Sequence, residues 1–300
     1  MIALSFPNIE DLKQMHYTAV LDYVTCSLPE DKRHNLYLHI AQLPGADHYD
    51  ELDYDWLKSC ILANTATLRE WTTNHAEKLR FDYFKELYLN RFSNGADNYV
   101  DSGKSYNAYT LFNAMGIHVC PYCEHEFLSD VDINGKRKRT LEFDHFYPKG
   151  NNQFPGLAMC FFNLIPSCIP CNKLKLTNPI AANPYDADIE SLTYLYPNIT
   201  PGVNIETLSN DDCAIKFHPS GDMILNEKNL ALEQRYYPIR SEAHDLLRKK
   251  QQYPDEKLEE MERMGFGTKE QLKHDFFGTP RSLAIGKLLH TKMKHDLIGY

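Results

Sequence analysis

The stretch that decides the fold runs from residue 120 to residue 175. Its recognisable segments are CPYC at 120–123, KRKR at 136–139, LEFDHFYPKG at 141–150 and NLIPSCIPCNKLK at 163–175. It contains two C-x-x-C pairs, Cys120 with Cys123 and Cys168 with Cys171. Four thiols at this spacing can close a tetrahedral site of the kind that Zn²⁺ fills in structural centres. We therefore expect the two pairs to meet and to bind one structural zinc ion.

The polar residues of the stretch lie close to these thiols in sequence. Asp144, His145 and Asn163 stand between the two pairs, and Asn172 directly follows the last cysteine. A neutral imidazole can take a proton from water near neutral pH once its other nitrogen is oriented. Carboxylate and amide oxygens are the ligands that hard divalent cations prefer. Two alternatives stay open: the thiols form unrelated pairs or a zinc ribbon that only binds, and Asp144 with His145 is an incidental surface pair.

The order of these motifs resembles the HNH endonucleases, also called His-Me finger or ββα-metal nucleases, in their four-cysteine form. The shared features are D-H-x-x-P-K, an N-L before the second cysteine pair and C-N-x-x-K at its end. The resemblance covers about 60 of the 300 residues, within a domain expected at 105–180, and implies a finger of two strands and a helix, stabilised by the zinc site. The expected fold class is therefore α+β, a mainly helical protein with this ββα-metal finger embedded in it.

The resemblance also implies roles for four residues. His145 would be the general base, Asp144 and Asn172 would hold one catalytic divalent cation, and Asn163 would fix the loop that points His145 inward. Asn172 departs from the family's letters, which have histidine at the last position. Because an amide oxygen is a harder ligand than imidazole, we expect Mg²⁺ or Mn²⁺ rather than Zn²⁺ at the catalytic site.

The implied activity is hydrolysis of phosphodiester bonds by a metal-dependent endonuclease, with DNA as the expected substrate. A narrower resemblance to the HNH nucleases of Septu-type and retron-type systems rests partly on FHPSGDMILN at 217–226. It implies an anti-phage defence effector with an ATPase-like regulatory partner. One site per chain would require a homo-oligomer for concerted double-strand cleavage. The alternatives are an RNA-cleaving nuclease, including one acting on tRNA, and a zinc-stabilised nucleic-acid- or protein-binding module without turnover.

The charge distribution limits where nucleic acid could bind. The net charge of −9 excludes a uniformly basic surface, so a phosphate-binding region has to be local. Residues 130–180 contain seven Lys or Arg against four Asp or Glu. For each basic residue alone, a solvated surface charge is an equal alternative. The candidate phosphate contacts are Arg137, Lys138, Arg139, Lys149, Lys173 and Lys175.

The remaining composition indicates a cytoplasmic globular protein. Hydrophobic residues make up 43% of the chain, and no apolar run is long enough for a membrane span or arranged as a signal peptide. In a reducing compartment, C-x-x-C spacing favours metal over disulfides. His118 and His125 flank the first pair, but four thiolates would already complete that site.

The resemblance and the sequence periodicity together divide the chain into three parts: a helical region at 1–104, the nuclease domain that the resemblance implies at 105–180 and a mainly helical region at 181–300. Helices are predicted at 8–28, 31–43, 106–115, 228–235, 239–252, 255–264 and 268–276, as two long helices in 53–92, and as one helix at 280–297. In the nuclease domain, we expect a hairpin that turns at Asn134-Gly135 and returns along 140–144, a second strand at 161–165 and a helix from Cys171. We also expect a loop at 94–104, an irregular segment at 181–202 and a small hairpin at 213–226.

Overall fold

The fold is mixed α/β and mostly helical, with three small antiparallel sheets. A computed structural model describes residues 1–45, 54–93, 106–134, 136–150, 153–207, 209 and 211–300. The predicted loop at 94–104 lies outside these residues. Within the described residues there are fourteen α-helices and six strands. The helices are α1 Ile9–Asp22, α2 Glu30–Ile40, α3 Tyr54–Ile61, α4 Thr65–Asn74, α5 Tyr83–Leu87, α6 Ala108–Met115, α7 Ile169–Lys175, α8 Met223–Leu230, α9 Leu232–Tyr236, α10 Arg240–Gln252, α11 Asp255–Arg263, α12 Lys269–Phe277, α13 Arg281–Ala284 and α14 Thr291–Ile298.

The strands form three separate two-stranded sheets. They are β1 Asp130–Ile133, β2 Lys136–Arg139, β3 Leu141–His145, β4 Leu164–Cys168, β5 Thr193–Ile199 and β6 Cys213–Pro219. The pairs are β1 with β2, β3 with β4 and β5 with β6. The β3–β4 register places His145 opposite Leu164 and Leu141 opposite Cys168. One end of this sheet therefore carries the histidine, and the other end carries a cysteine.

The prediction that the hairpin at Asn134-Gly135 returns along 140–144 is wrong, because the returning strand is β2. Asn134 has φ 56°, which suits a tight turn, so Lys136 pairs directly with Ile133 and the ladder ends at Arg139. Thr140 closes this hairpin because its backbone N–H donates to the Ser129 carbonyl at 2.9 Å. The chain then starts a new sheet with β3. The second strand also starts later than predicted, because a single 3₁₀ turn occupies Phe161–Asn163.

The helical predictions hold in the described regions except at 53–92, 228–235 and 280–297. The helix predicted at 228–235 is two helices, α8 and α9, separated by left-handed backbone at Ala231. In place of two long helices at 53–92 there are three short helices, with Asn64 capping α4 through a hydrogen bond from the Thr67 backbone. The segment 181–202 is not wholly irregular because it contains β5, and β6 pairs with β5 rather than forming its own hairpin. The helix expected at 280–297 is two helices, separated by left-handed backbone at Gly286 and His290.

A single buried hydrophobic cluster joins residues from all three predicted parts of the chain. The first residues also connect the parts, since the Ile2 N–H donates to Pro121 and the Leu4 N–H donates to Pro184. The proposed three-part division stays a prediction. In the described part of the chain, no helix combines the length and apolar character needed to cross a bilayer.

Candidate functional site

The four cysteines of the two C-x-x-C pairs meet, as predicted. Their sulfur atoms all lie within 4.8 Å of one another, and all four side chains are buried. The Cys123 and Cys168 sulfurs are 3.9 Å apart, far beyond a disulfide bond. With zinc–sulfur bonds of about 2.3 Å, a tetrahedral site would separate its sulfurs by about 3.8 Å. The cluster therefore fits a metal ion such as zinc.

The local backbone explains how the second pair reaches this position. β4 ends at Cys168, whose sulfur accepts the Cys171 backbone N–H at 3.4 Å and so caps the start of α7. Pro170 occupies the first turn of the helix, where its missing N–H costs nothing. The Cys168 N–H donates in turn to the Cys120 sulfur at 3.4 Å. The four-cysteine cluster thus links β4 and α7 to the loop that carries Cys120 and Cys123.

Arg235, at the C-terminal end of α9, contacts the cluster and was missed by the sequence analysis. Its Nη1 lies 2.7 Å from the Cys171 sulfur and its Nη2 lies 3.9 Å from the Cys168 sulfur. Burial opposes its charge, but the charges of Cys171, Cys123 and Cys168 together raise the pKa of Arg235. If the four thiolates hold a metal ion, a guanidinium here would compensate part of their negative charge. No sequence pattern links residue 235 to the cysteines.

The flanking histidines are not part of the thiol cluster. His118 is exposed. The Nδ1 atom of His125 lies 2.9 Å from Nε2 of His290, whose own Nδ1 contacts the Glu242 carboxylate at 2.7 Å. Both histidines therefore lie outside the four-cysteine group, as expected.

His145 has a defined tautomer and a buried ring. Its Nε2 lies 3.0 Å from the Ala158 carbonyl oxygen, which can only accept, so Nε2 carries the proton and Nδ1 is the basic nitrogen. Burial, and then the nearby Lys149 charge, lower the pKa of His145 well below its usual value. The imidazole is consequently neutral near pH 7, the state that a general base requires.

Asn163 connects the two sides of the loop that holds His145. Its Oδ1 accepts the Tyr147 N–H at 2.7 Å, while its Nδ2 donates to the Tyr147 carbonyl at 3.1 Å and to the Leu157 carbonyl at 2.9 Å. Leu157 directly precedes Ala158, the residue that binds His145. Asn163 therefore holds together two backbone segments close to His145.

Asp144 is buried and already paired, which the sequence did not indicate. Its Oδ1 accepts from the Lys175 ammonium at 3.0 Å, and its Oδ2 accepts from the Tyr122 hydroxyl at 2.7 Å. The same ammonium donates to the His145 carbonyl at 2.6 Å. Lys175 is 0% exposed, so its predicted place as a surface phosphate contact is wrong for the free protein. The sequence motif that contains Lys175 gave no indication that its side chain is buried.

Asn172 does not contact Asp144 in this structure. Its side-chain amide instead donates to the carboxylate of Glu142, an exposed residue two positions before Asp144 on β3. Because residues two apart on a strand share a face, β3 presents both carboxylates towards α7. Glu142 is a second residue that the sequence analysis missed, although its position in L-E-F-D-H could have drawn attention to it.

These residues line an open cleft of about 610 Å³. The cleft includes Glu142, Asp144, His145 and Asn172, and it also takes in Lys85 and Tyr88 from the predicted N-terminal helical region. The Tyr88 ring packs edge-on against His145, with centroids 4.4 Å apart. The N-terminal region is thus part of the wall of this cleft rather than only a scaffold behind it.

Apart from Lys175, the predicted phosphate contacts divide into three groups. Lys149 and Arg139 line the cleft, although Arg139 also donates to the Ser93 carbonyl at 2.6 Å. Lys138 and Lys173 are exposed outside the cleft lining. The Arg137 side chain lies outside the described part of the chain. With the buried Lys175, which donates to the His145 carbonyl, the structure brings three of the six together with His145.

A search with protein-family models, curated proteins and solved structures returned no match to this chain.

Proposed function

We propose that this protein is a metal-dependent endonuclease that hydrolyses phosphodiester bonds of nucleic acid, with His145 as the general base. The observation that carries the proposal is the state of this imidazole. Its Nε2 is bound to the Ala158 carbonyl, and its basic Nδ1 lies in a cleft with lysine and arginine side chains.

The arrangement around His145 supports the resemblance to the ββα-metal nucleases. β3 carries His145, β4 pairs with it in antiparallel register, and α7 follows β4 without a break. The four-cysteine cluster lies at the β4–α7 junction. This order of two strands and a helix, with a four-cysteine cluster that could hold a metal, is the order that the sequence motifs predict.

In the proposed reaction, His145 transfers the proton and Asn163 keeps its imidazole in place. Nδ1 of His145 accepts a proton from a water molecule as the water oxygen bonds to phosphorus. The bond between phosphorus and the leaving 3′ oxygen breaks, and that oxygen takes a proton from solvent. Asn163 keeps the imidazole aligned by holding the Tyr147 and Leu157 backbone. General-base assistance of this kind is typically worth about 10²- to 10⁴-fold in rate.

A divalent cation would relieve charge on the phosphate and on the leaving oxygen. The hard oxygen donors of Glu142, Asp144 and Asn172 suit Mg²⁺ or Mn²⁺. The Asn172–Glu142 contact adds Glu142 to the predicted pair of Asp144 and Asn172. Because Lys175 and Tyr122 already bind Asp144, we expect Glu142→Gln to raise the Mn²⁺ concentration needed for activity.

The test is cleavage by zinc-loaded protein of supercoiled plasmid, linear DNA and structured RNA, each with Mg²⁺, Mn²⁺ or chelator. We expect metal-dependent cleavage that His145→Ala abolishes and that His218→Ala, at an exposed histidine on β6, leaves intact. The three substrates also separate DNA from RNA. Absence of cleavage with every substrate and metal would remove the proposal.

One observation favours the alternative, a zinc-stabilised binding module without turnover. Asp144 is 4% exposed and has both oxygens occupied, so the expected cation ligand is not free. In that case the protein would bind nucleic acid with a steep salt dependence and cut none of it. The substrate panel above, with a binding assay at two salt concentrations, distinguishes the two functions.

The defence role and the ATPase-like partner stay predictions from the narrower resemblance, and the homo-oligomer and the cytoplasmic location stay predictions from the sequence. Co-purification of tagged protein from a native host tests the partner. Recovery of an ATPase subunit in stoichiometric amount would support it. Strong unregulated cleavage by a chain that recovers no partner would contradict it.

A further inference from the structure

Three side chains form a closed group at the wall of the cleft: Tyr88, His145 and Lys149. The Lys149 ammonium lies 3.2 Å from Nδ1 of His145 and 4.6 Å from the centre of the Tyr88 ring. The Tyr88 and His145 rings are 4.4 Å apart at an interplanar angle of 75°. The Tyr88 hydroxyl is fixed by donation to the Phe143 carbonyl at 3.0 Å. Each member of the group therefore touches the other two.

This geometry covers the basic nitrogen of His145. Since Nε2 donates to Ala158, Nδ1 is the acceptor, and the Lys149 ammonium donates to it. A water molecule cannot hydrogen-bond to the same lone pair while Lys149 is there. The free protein thus holds its candidate base in a blocked state.

The position of Lys149 is one that an anion can change. Within the described residues, its ammonium contacts two uncharged rings rather than a carboxylate. Burial is the main cause that lowers the pKa of Lys149. A phosphate oxygen offers a stronger, charge-assisted hydrogen bond than a neutral imidazole does. The flexible four-carbon side chain allows the ammonium to move between the two acceptors.

We propose that Lys149 is a phosphate-binding residue that covers Nδ1 of His145 in the free protein and leaves it when a phosphate group enters the cleft. Tyr88 holds the free-state position through its ring face. The inference rests on the proposed function in that the phosphate belongs to the nucleic-acid backbone. It gives the N-terminal helical region a direct part in the site, because Tyr88 directly follows α5.

The experiment follows the imidazole nitrogens of His145 by ¹⁵N NMR in the full, zinc-loaded chain, without Mg²⁺ or Mn²⁺. The probes are inorganic phosphate and a dinucleotide with one phosphodiester. In the wild type, both should move the Nδ1 signal towards its position in Lys149→Met. Phosphate should bind Lys149→Met about tenfold more weakly and Lys149→Arg within a few-fold of the wild type.

Two further variants separate the roles in this group. Tyr88→Phe keeps the ring and should leave the free-state Nδ1 signal unchanged, whereas Tyr88→Leu should shift it without phosphate. Lys257→Met, at an exposed lysine of α11 whose ammonium lies 4.8 Å from the centre of the Tyr253 ring, is the matched control and should behave as wild type. A response to inorganic phosphate alone would restrict Lys149 to free anions and overturn its role towards the backbone.

The result does not depend on cleavage. An unmoved Nδ1 signal in the wild type, or an undiminished phosphate response in Lys149→Met, would overturn the inference while leaving an active nuclease in place. A chain that cuts no nucleic acid but shows the Lys149-dependent shift would remove the proposed function and keep this phosphate site.

Discussion

Arg235 offers the sharpest prediction about the metal cluster. Replacing it with methionine removes the guanidinium but keeps an apolar stem of similar length. The side chain is 14% exposed, with Nη1 at 2.7 Å from the Cys171 sulfur. Such a contact is screened far less than a surface ion pair. Loss of the charge should therefore weaken the hold of the four thiolates on a divalent metal.

The magnitude follows from the distances. One charge pair at about 4 Å and an effective dielectric constant of about 20 is worth about 4 kcal/mol before desolvation. Burial of the guanidinium costs hydration energy, which offsets part of this attraction. Groups next to metal ligands typically contribute about 10- to 100-fold in metal affinity. We therefore expect zinc affinity to fall about 10- to 100-fold, or about 1.4 to 2.8 kcal/mol.

The assay is competition for zinc between the protein and a chromophoric chelator, repeated with Co²⁺ to follow the thiolate charge-transfer band. Arg240→Met is the matched control, because Arg240 pairs with the exposed Asp211 at 2.7 Å and contacts no cysteine. Arg235→Met should release metal at lower chelator concentration than both the wild type and the control. Equal zinc affinity in all three proteins would refute the assigned role of Arg235.

The other predictions concern stability and alignment near the site. A methyl group at Gly156 would lie 2.6 Å from the Phe81 ring, so Gly156→Ala should lower the unfolding free energy by about 1–3 kcal/mol. Urea denaturation measures this change, with Gly150→Ala as the control. Asn163→Ala leaves buried backbone groups unpaired, so it should lower the unfolding free energy by about 1–3 kcal/mol and reduce the cleavage rate. An unchanged unfolding free energy would show that these hydrogen bonds contribute little to stability. Burial lowers the pKa of His16 from 6.5 to about 4, so only the unfolded chain takes up this proton between those values. Stability should thus fall by about 1.4 kcal/mol per pH unit from pH 6.5 to 4, and urea denaturation of His16→Gln should show a shallower decline than the wild type.

The four-cysteine cluster could be predicted from the sequence because the motifs that form it are short and local. Two short C-x-x-C segments and the D-H and C-N pairs each keep their spacing whatever surrounds them, and the structure confirms that the four thiols meet. Strongly periodic helices such as α1 and α10 were predicted for the same reason. The catalytic roles of His145 and its neighbours stay predictions.

The rest of the site depends on contacts between distant segments, which periodicity does not encode. Arg235 reaches Cys171 across 64 positions, and Tyr88 reaches His145 across 57. The burial of Lys175 could not be predicted, because a lysine in a basic segment resembles a surface residue. In the structure, Lys175 instead forms a salt bridge with the buried carboxylate of Asp144. The break in the helix predicted at 280–297 has a similar origin, since His290 adopts a left-handed backbone while it contacts His125.

Chemical rescue of His145→Gly tests the central claim most directly. With zinc retained and Mn²⁺ or Mg²⁺ supplied, this variant should lose at least about 100-fold in cleavage rate, and added imidazole should restore activity in proportion to its concentration. Rescue would place proton transfer at the position where Nδ1 faces the cleft. Cleavage by His145→Gly at the wild-type rate would contradict the account.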